Sequence, residues 1–523
     1  MLEDTIMEER EELMLSLKPS KTHDPTRKLG LFLKPTSTLT NHGKPFDPTH
    51  CCEEKMCSLR VLFKGWRTQQ KGWKDWVDGM HSLHKSTWKK AGIYEAVLNS
   101  CYEIKKDDNL ILGFVQKWCD ETKSFVFSWG EVTVTLEDMM VIGGYSVLGD
   151  SVDCAIVNED MERVLEKLME VRTELTRSSA NKADQTQWMK KFKDSGSDIE
   201  HEAFLVLWLC RFVFPSSSAV VMKDVLTIGI HLARGVKLAL APAVLASIYR
   251  DLSLLKTKMV GFKDDDHNDK TVTAVWAPFQ LVQVWIWERF CKLRPNPGHS
   301  CSPRFAKWGN KLPVKDVSSF VGSALEEFCW QPYGEDLNDH SLLSKLYQDV
   351  GRWVVLDVCL DEGLESWARC SRVSELVGID GNCIEQYLPH RVAMQFGMNQ
   401  DVPGDVARTN ETSEVAWNFY SRPVTDAKLY IPSRVSEPHV TARYLEWSNK
   451  STGSCSQLCD DEGKNLVKNE LRTEGSEDAM GNNDAGGGSG DDEINALGLK
   501  LEARIGKLEE VFQYLKAKKQ KVI

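Results

Sequence analysis

The chain has 523 residues, 42% of them hydrophobic and 27% charged, so it is long enough to bury one large core or two to three ordinary ones. Its formal net charge of -11 excludes a basic field over the whole molecule, of the kind that holds a nucleic-acid backbone, and leaves room only for a local basic patch. The 15 scattered cysteines and the acidic start "MLEDTIMEEREELML" favour a reducing compartment over secretion.

Residues 1–45 are predicted to form a weakly ordered N-terminal arm. They begin with a short amphipathic helical pattern and then lose apolar periodicity in a region that contains Pro19, Pro25, Pro35 and Pro45.

The segment from Phe63 to Lys90 interleaves tryptophan with basic residues. The favoured interpretation is a pair of amphipathic helices, in which lysine stems cover apolar surface. The alternative is a nucleic-acid patch, in which the lysines meet phosphates and the indole rings stack on bases. The residues of this candidate basic patch are Lys64, Arg67, Lys71, Trp73, Lys74 and Trp76.

The stretch "SFVFSWGEVTVTLEDMMVIGG" carries the strongest local folding signals in the chain. Aromatic residues alternate with smaller ones before Gly130, and apolar residues alternate again after it, which predicts a β-hairpin. Thr135 and Asp138 have the spacing of a capping box, and Gly143 and Gly144 end the short apolar helix that follows. Folding alone therefore explains this stretch.

Apolar segments recur at helical spacing over residues 46–447 and predict one large, mainly α domain with a small β-hairpin. "HEAFLVLWLCRFVF", "APAVLASIYRDLSLL" and "PFQLVQVWIWERF" are apolar almost all round, which is typical of buried helices. The most apolar stretch, from Gly235 to Tyr249, is shorter than the ~20 residues that cross a bilayer, so we expect no membrane association.

The composition changes after Trp447. Residues 448–493 are acidic and rich in glycine, and they predict a disordered linker. Residues 494–523 predict a short coiled-coil helix with a basic end, although Arg504 interrupts its apolar seam. The seam consists of Ile494, Leu497, Leu501, Leu508, Val511 and Leu515.

The hairpin and capped-helix stretch, extended to "ETKSFVFSWGEVTVTLEDMMVIGGYSVLGDSV", resembles the signature of the plant mobile domain family. "LALAPAVLASIYRDL", "PFQLVQVWIWERF", "HRVAMQFGMNQDVPG" and "ARYLEWSN" resemble later blocks of the same domain, and the arm resembles the leader of a subgroup labelled aminotransferase-like. We predict a structural role for the residues that match the family motif, which are Trp129, Gly130, Glu131, Thr135, Leu136, Glu137, Asp138, Gly143 and Gly144.

No motif in the sequence predicts catalysis, a cofactor or a metal. A pyridoxal phosphate site needs a lysine in a phosphate-binding context, and none is recognisable. "GDSVD" at Gly149–Asp153 begins like a metallophosphatase motif, but the rest of that motif is missing. "DDDHND" at Asp264–Asp269 lacks the glycine and glutamate of a calcium loop, and the cysteines of "HCCEEKMC" have no paired partner module.

The family resemblance implies a nuclear, non-catalytic role, connected with meristem maintenance, transcript control and transposon silencing. We therefore predict a nuclear regulatory or adaptor protein that binds other proteins, including a phosphoprotein-phosphatase-like protein, and that self-associates through its C-terminal helix. Two alternatives stay open: a nucleic-acid-binding factor that uses the candidate basic patch, and an enzyme with an unrecognised site.

Overall fold

A computed structural model describes residues 6–449, except for residues 17–24, 38–58, 178–181, 216–218, 261–271, 300–301, 313–327, 334–345, 347, 356–360, 380, 408–409, 411, 425–427, 434 and 436. The predicted linker beyond residue 449 and the predicted coiled coil therefore lie outside the described residues. So do the cysteines of "HCCEEKMC" and the acidic loop Asp264–Asp269.

The described part of the chain is mainly helical, as the apolar periodicity predicts. A π-helical turn at Leu209–Val213 extends the helix Glu200–Trp208, and 3-10 helices lie at Cys291–Leu293 and Pro389–Phe396. The α-helices are α1 (Trp73–Lys90), α2 (Tyr94–Asn99), α3 (Asp108–Lys117), α4 (Leu136–Val141), α5 (Glu159–Thr176), α6 (Gln185–Phe192), α7 (Glu200–Trp208), α8 (Val225–Ala233), α9 (Leu240–Val260), α10 (Gln280–Arg289), α11 (Arg304–Trp308), α12 (Glu362–Ser371) and α13 (Ser413–Ser421).

The strands form several small sheets rather than one large one. They are β1 (Met7–Leu15), β2 (Thr26–Leu33), β3 (Val61–Phe63), β4 (Trp118–Cys119), β5 (Ser124–Phe127), β6 (Gly130–Val132), β7 (Thr273–Val275), β8 (Arg352–Val355), β9 (Ser374–Val377), β10 (Ile384–Tyr387), β11 (Lys428–Ile431) and β12 (Val440–Thr441). The sheet orders are β12-β1-β2 and β4-β5-β6, and the pairs are β3-β7, β8-β11 and β9-β10.

The core is built around the helices that are apolar all round. Every residue of α10 is buried, and α7 and most of α9 are buried too, as the sequence predicts. Helix α9 packs against α3, α4 and β9. No helix in the described ranges is long and apolar enough to span a membrane.

The N-terminal arm differs from its prediction. Its first element is not an amphipathic helix but strand β1, which pairs with β2 from Met7↔Leu33 to Met14↔Thr26. β1 also pairs with β12 through Met14 and Leu15. Glutamate, arginine and leucine favour helices in isolation, and pairing with β2 along the strand overrides that preference here. The described residues of the arm thus belong to a sheet that includes the C-terminal part of the domain.

Candidate functional site

The family-motif stretch folds as its local signals predict. β5 and β6 form a hairpin, with Phe125 opposite Val132 and Phe127 opposite Gly130. Gly130 adopts φ 142°, a backbone conformation that L side chains rarely adopt. At the start of α4, the Thr135 hydroxyl accepts the Asp138 N–H and the Asp138 carboxylate accepts the Thr135 N–H, which confirms the capping box.

Glu131, which follows the hairpin turn, forms a buried ion pair with Arg391. The Arg391 guanidinium donates from Nε to Glu131 Oε2 at 2.7 Å and from Nη2 to Oε1 at 2.5 Å. The Ser124 hydroxyl adds a third bond to Glu131 Oε2 at 2.7 Å. Burial lowers the pKa of Arg391, but the Glu131 carboxylate outweighs it and the net pKa is raised, so the guanidinium stays charged.

Asp138 forms a second buried pair, with Arg289 at the end of α10. Both side chains are 0% exposed, and Arg289 Nη2 lies 2.8 Å from Asp138 Oδ1. The Tyr333 hydroxyl donates to the same oxygen at 2.5 Å, and the Thr135 N–H and hydroxyl both donate to Oδ2 at 2.7 Å. Each oxygen of Asp138 is therefore occupied within the fold.

Glu137 lies next to Asp138 and is 3% exposed. Burial, with the neighbouring Asp138 charge, raises the pKa of Glu137 to about 8, although Arg289 acts in the opposite direction. Glu137 is thus mostly protonated at neutral pH, whereas Asp138 is paired with a guanidinium. The two adjacent acids of the motif therefore differ in their partners, and both are enclosed in the core.

These motif pairs connect segments that are far apart in the sequence. Residues 92–449, which contain every one of these pairs, match the family model described as plant mobile domain. The chain belongs to the plant mobile domain family. No solved structure matches the chain significantly.

Three curated relatives from Arabidopsis thaliana are similar to this plant mobile domain protein. The serine/threonine-protein phosphatase 7 long form homolog is 25% identical over 73% of this chain and 29% of its own length. MAIN-LIKE 2 is 24% identical over 58% of this chain and 44% of its own length, and MAIN-LIKE 1 is 22% identical over 70% and 69%. The chain therefore spans less than half the length of the first two relatives.

The candidate basic patch does not have the predicted stacking platform. Trp73 and Trp76 are 0% exposed, and their ring N–H groups donate to Ser100 Oγ at 3.0 Å and to Glu200 Oε1 at 2.9 Å. Trp73 also stacks on Phe204, with ring centroids 5.2 Å apart. Neither ring has a face available to a base, so that part of the nucleic-acid hypothesis is wrong. The structure places these tryptophans in the hydrophobic core.

The charged residues of the same patch lie at the surface. Lys64, Lys71 and Lys74 are exposed, and Arg67 is half-buried. Burial lowers the pKa of Arg67. A surface of lysines alone supports weak phosphate contacts without base stacking.

A cavity of about 30 Å³ lies where the motif helix ends, beside Gly143 and Tyr145. Arg67 lines it, and so does Gln280, whose buried Oε1 has no hydrogen-bond partner. This volume has room for about one or two water molecules. A pyridoxal phosphate group is far larger, so the cavity does not fit the cofactor that the aminotransferase-like label would require.

The described ranges contain no group of three His, Cys, Asp or Glu side chains that would hold a metal ion. Cys154 Sγ lies 3.4 Å from His231 Nδ1, which resembles a nucleophile and base pair. However, burial and nearby aspartates raise the pKa of Cys154 to about 11, and the same His231 nitrogen lies 2.9 Å from the Thr227 carbonyl oxygen. The thiol is therefore not activated.

The basic partners of the motif acids were not identified from the sequence. Arg289 lies within "PFQLVQVWIWERF" and Arg391 within "HRVAMQFGMNQDVPG", both of which are family blocks. The available signal was a lone arginine near one end of each block, because a buried charge needs an opposite charge.

Proposed function

We propose that this protein is a non-catalytic nuclear adaptor, which acts by binding other proteins in transcript control, transposon silencing and meristem maintenance. The observation that carries the proposal is the burial of the acidic residues of the family motif. Its charged residues Glu131 and Asp138 are fully engaged with Arg391 and Arg289 inside the core. The features that define the family therefore stabilise a scaffold, and binding is left to the surface.

A phosphatase-like protein is the first partner that we propose. One relative is named a serine/threonine-protein phosphatase 7 long form homolog, and the similarity to it covers only 29% of that protein. In that relative the part similar to this chain is joined to other sequence, and we propose that the same kind of domain here holds a phosphatase-like protein by contact.

Affinity purification of the tagged full chain from nuclease-treated plant nuclei tests the adaptor function. We expect a defined set of proteins to remain bound, because protein contacts do not depend on a nucleic acid bridge. Loss of all partners after nuclease treatment would favour the nucleic-acid alternative instead.

Nuclear residence has its own test. The basic cluster Lys516–Lys521 supports nuclear import, and a fluorescent fusion of the full chain should accumulate in the nucleus. Exclusion of both the full chain and a chain without residues 516–521 from the nucleus would contradict this localisation.

A further inference from the structure

Strand β2 has a free edge near its start. In the β1–β2 ladder the even-numbered residues of β2 bond to β1, and Lys34 N continues this pattern to Ile6 O at 2.9 Å. Leu31 faces the other way: its N–H donates to Asn399 Oδ1 at 2.9 Å, and its carbonyl accepts from Asn399 N at 2.8 Å.

Backbone groups alternate in direction along an antiparallel strand, so Arg27 and Leu29 share the outward direction of Leu31. No described residue bonds to the backbone of Arg27 or Leu29 on that side. The two residues therefore offer two N–H and two C=O groups at an open strand edge.

The side chains along this edge are exposed, and they are apolar or basic. Leu29 is 62% exposed, and Leu13 of β1, which is on the same face, is 47% exposed. Arg27 is exposed on this face as well, and Lys28 is exposed on the opposite face. Exposed edge strands with apolar side chains are templates for the addition of another strand.

We propose that the outer edge of β2 at Arg27–Leu29 accepts an extended acidic segment of a partner protein as an additional strand. The proposal rests on the adaptor function above and specifies the chemistry of one partner. Backbone hydrogen bonds at Arg27 and Leu29 provide the affinity, and carboxylates beside Arg27 and Lys28 provide the selectivity. An apolar side chain of the partner packs on Leu29.

A second copy of this chain fits the edge less well. Asn399 occupies the edge at Leu31, so a two-fold antiparallel pairing must be centred on residues 27–29. Centring on Lys28 or on Arg27 places two identical cations directly opposite each other, which is destabilising. Centring on Leu29 would pair Arg27 of each copy with Leu31 of the other, but Asn399 already bonds to Leu31. Only the two Leu29 residues could then form backbone hydrogen bonds with each other. The charges of the edge therefore favour an acidic strand over a second copy.

Fluorescence anisotropy with two labelled peptides tests the proposal on the full chain. One peptide alternates glutamate and valine, and its matched control alternates lysine and valine. We expect the full chain to bind the acidic peptide and not the basic one. Arg27→Glu should weaken the binding of the acidic peptide and strengthen the binding of the basic one, because it reverses the charge and leaves the backbone unchanged.

A backbone variant separates edge pairing from simple charge attraction. Leu29→Pro removes an N–H that points away from β1. This variant should lower the affinity for the acidic peptide by about tenfold or more. Leu29→Ala keeps that N–H and should weaken it much less. A thermal melt establishes that each variant is folded. Where Leu29→Pro is not folded, the acidic peptide with methylated backbone N–H groups replaces it, and this peptide should no longer bind the wild type.

Equal binding of both peptides, or equal affinity of the wild type and folded Leu29→Pro, would overturn the proposal. If the wild type binds neither peptide but self-associates, and Leu29→Pro abolishes this self-association, the edge pairs with a second copy of the chain. Nuclear partners that are bound alike by the wild type and a folded Leu29→Pro would refute the edge site while the adaptor function stands. If the wild type retains no partner at all, the adaptor function itself fails.

Discussion

Replacement of Glu137 by glutamine should stabilise the protein, and increasingly so as the pH rises. Glu137 is buried beside the Asp138–Arg289 pair, and its carboxyl group is of the same size and shape as the glutamine amide. Because glutamine is never ionised, Glu137→Gln removes the unfavourable charged form from the core and keeps the packing.

The size of the effect follows from the pKa of Glu137. Burial and Asp138 raise this pKa from 4.5 to about 8 in the folded protein. A folded pKa above the unfolded one means that the fold binds the proton more tightly, so stability is lost as the pH rises from the unfolded value to the folded value. At about 1.4 kcal/mol per pKa step, the loss is about 3 kcal/mol at pH 7 and about 5 kcal/mol once the group is fully ionised.

Urea unfolding of both proteins at about pH 5, 7 and 9 measures this difference. We expect Glu137→Gln to exceed the wild type by about 1 kcal/mol at pH 5 and by about 5 kcal/mol at pH 9. Asp138→Asn is the matched control, because it leaves Arg289 charged and unpaired in the core and should destabilise by about 3–5 kcal/mol. A Glu137→Gln protein that is no more stable than the wild type at alkaline pH would refute the buried, unpaired state of Glu137.

Three further predictions concern the motif, the tail and the surface lysines. Trp129→Ala should lower the free energy of unfolding by about 3 kcal/mol, since the ring stacks on Phe127 with centroids 5.0 Å apart. If the melting temperature is unchanged and a partner is lost, Trp129 belongs to a binding site instead. Leu501→Glu with Leu508→Glu should abolish self-association in light scattering or a tail-dependent partner in a pull-down, and an unchanged mass and partner list would reject the coiled coil. Charge reversal of Lys64, Lys71 and Lys74 should leave gel shifts with nucleic acid unaltered, whereas a salt-dependent shift lost in this variant would support the nucleic-acid alternative.

Local signals in the sequence were sufficient for the hairpin and for the cap of α4. Thr135 and Asp138 are three residues apart, and the contacts that decide their conformation lie within the same stretch. The buried helices were also predictable, because an all-round apolar pattern has no solvent face to offer.

The partners of the motif acids were not predictable in the same way. Arg289 is 151 residues from Asp138, and Arg391 is 260 residues from Glu131. A single sequence contains many arginines, and nothing in it indicates which arginine pairs with which acid. The strand β1 was misread for a related reason: its helix-forming residues adopt the conformation that pairing with β2 and β12 imposes.

The N-terminal hairpin of β1 and β2 packs into the core, although it lies outside the residues that match the family model. The family match begins at residue 92, but Ile6, Met7, Met14, Phe32 and Leu33 of the hairpin are all buried. Arg10 also donates to the buried carboxylate of Asp401, which Arg443 and Thr441 Oγ1 contact as well.

A fragment of residues 59–449 should therefore be much less stable than one of residues 1–449. Burial of five apolar side chains at about 1.5–3 kcal/mol each contributes about 7–15 kcal/mol, which is comparable with the whole stability of a typical domain. Limited proteolysis and urea unfolding of the two fragments measure the difference, and a synthetic peptide of residues 6–37 added to the shorter one should restore part of its protection. Equal stability of the two fragments would show that the hairpin rests on a domain already complete without it. The expected instability would instead make the arm a strand-donating part of the fold, and the free edge of β2 would then be held rigidly enough to select a partner by its backbone.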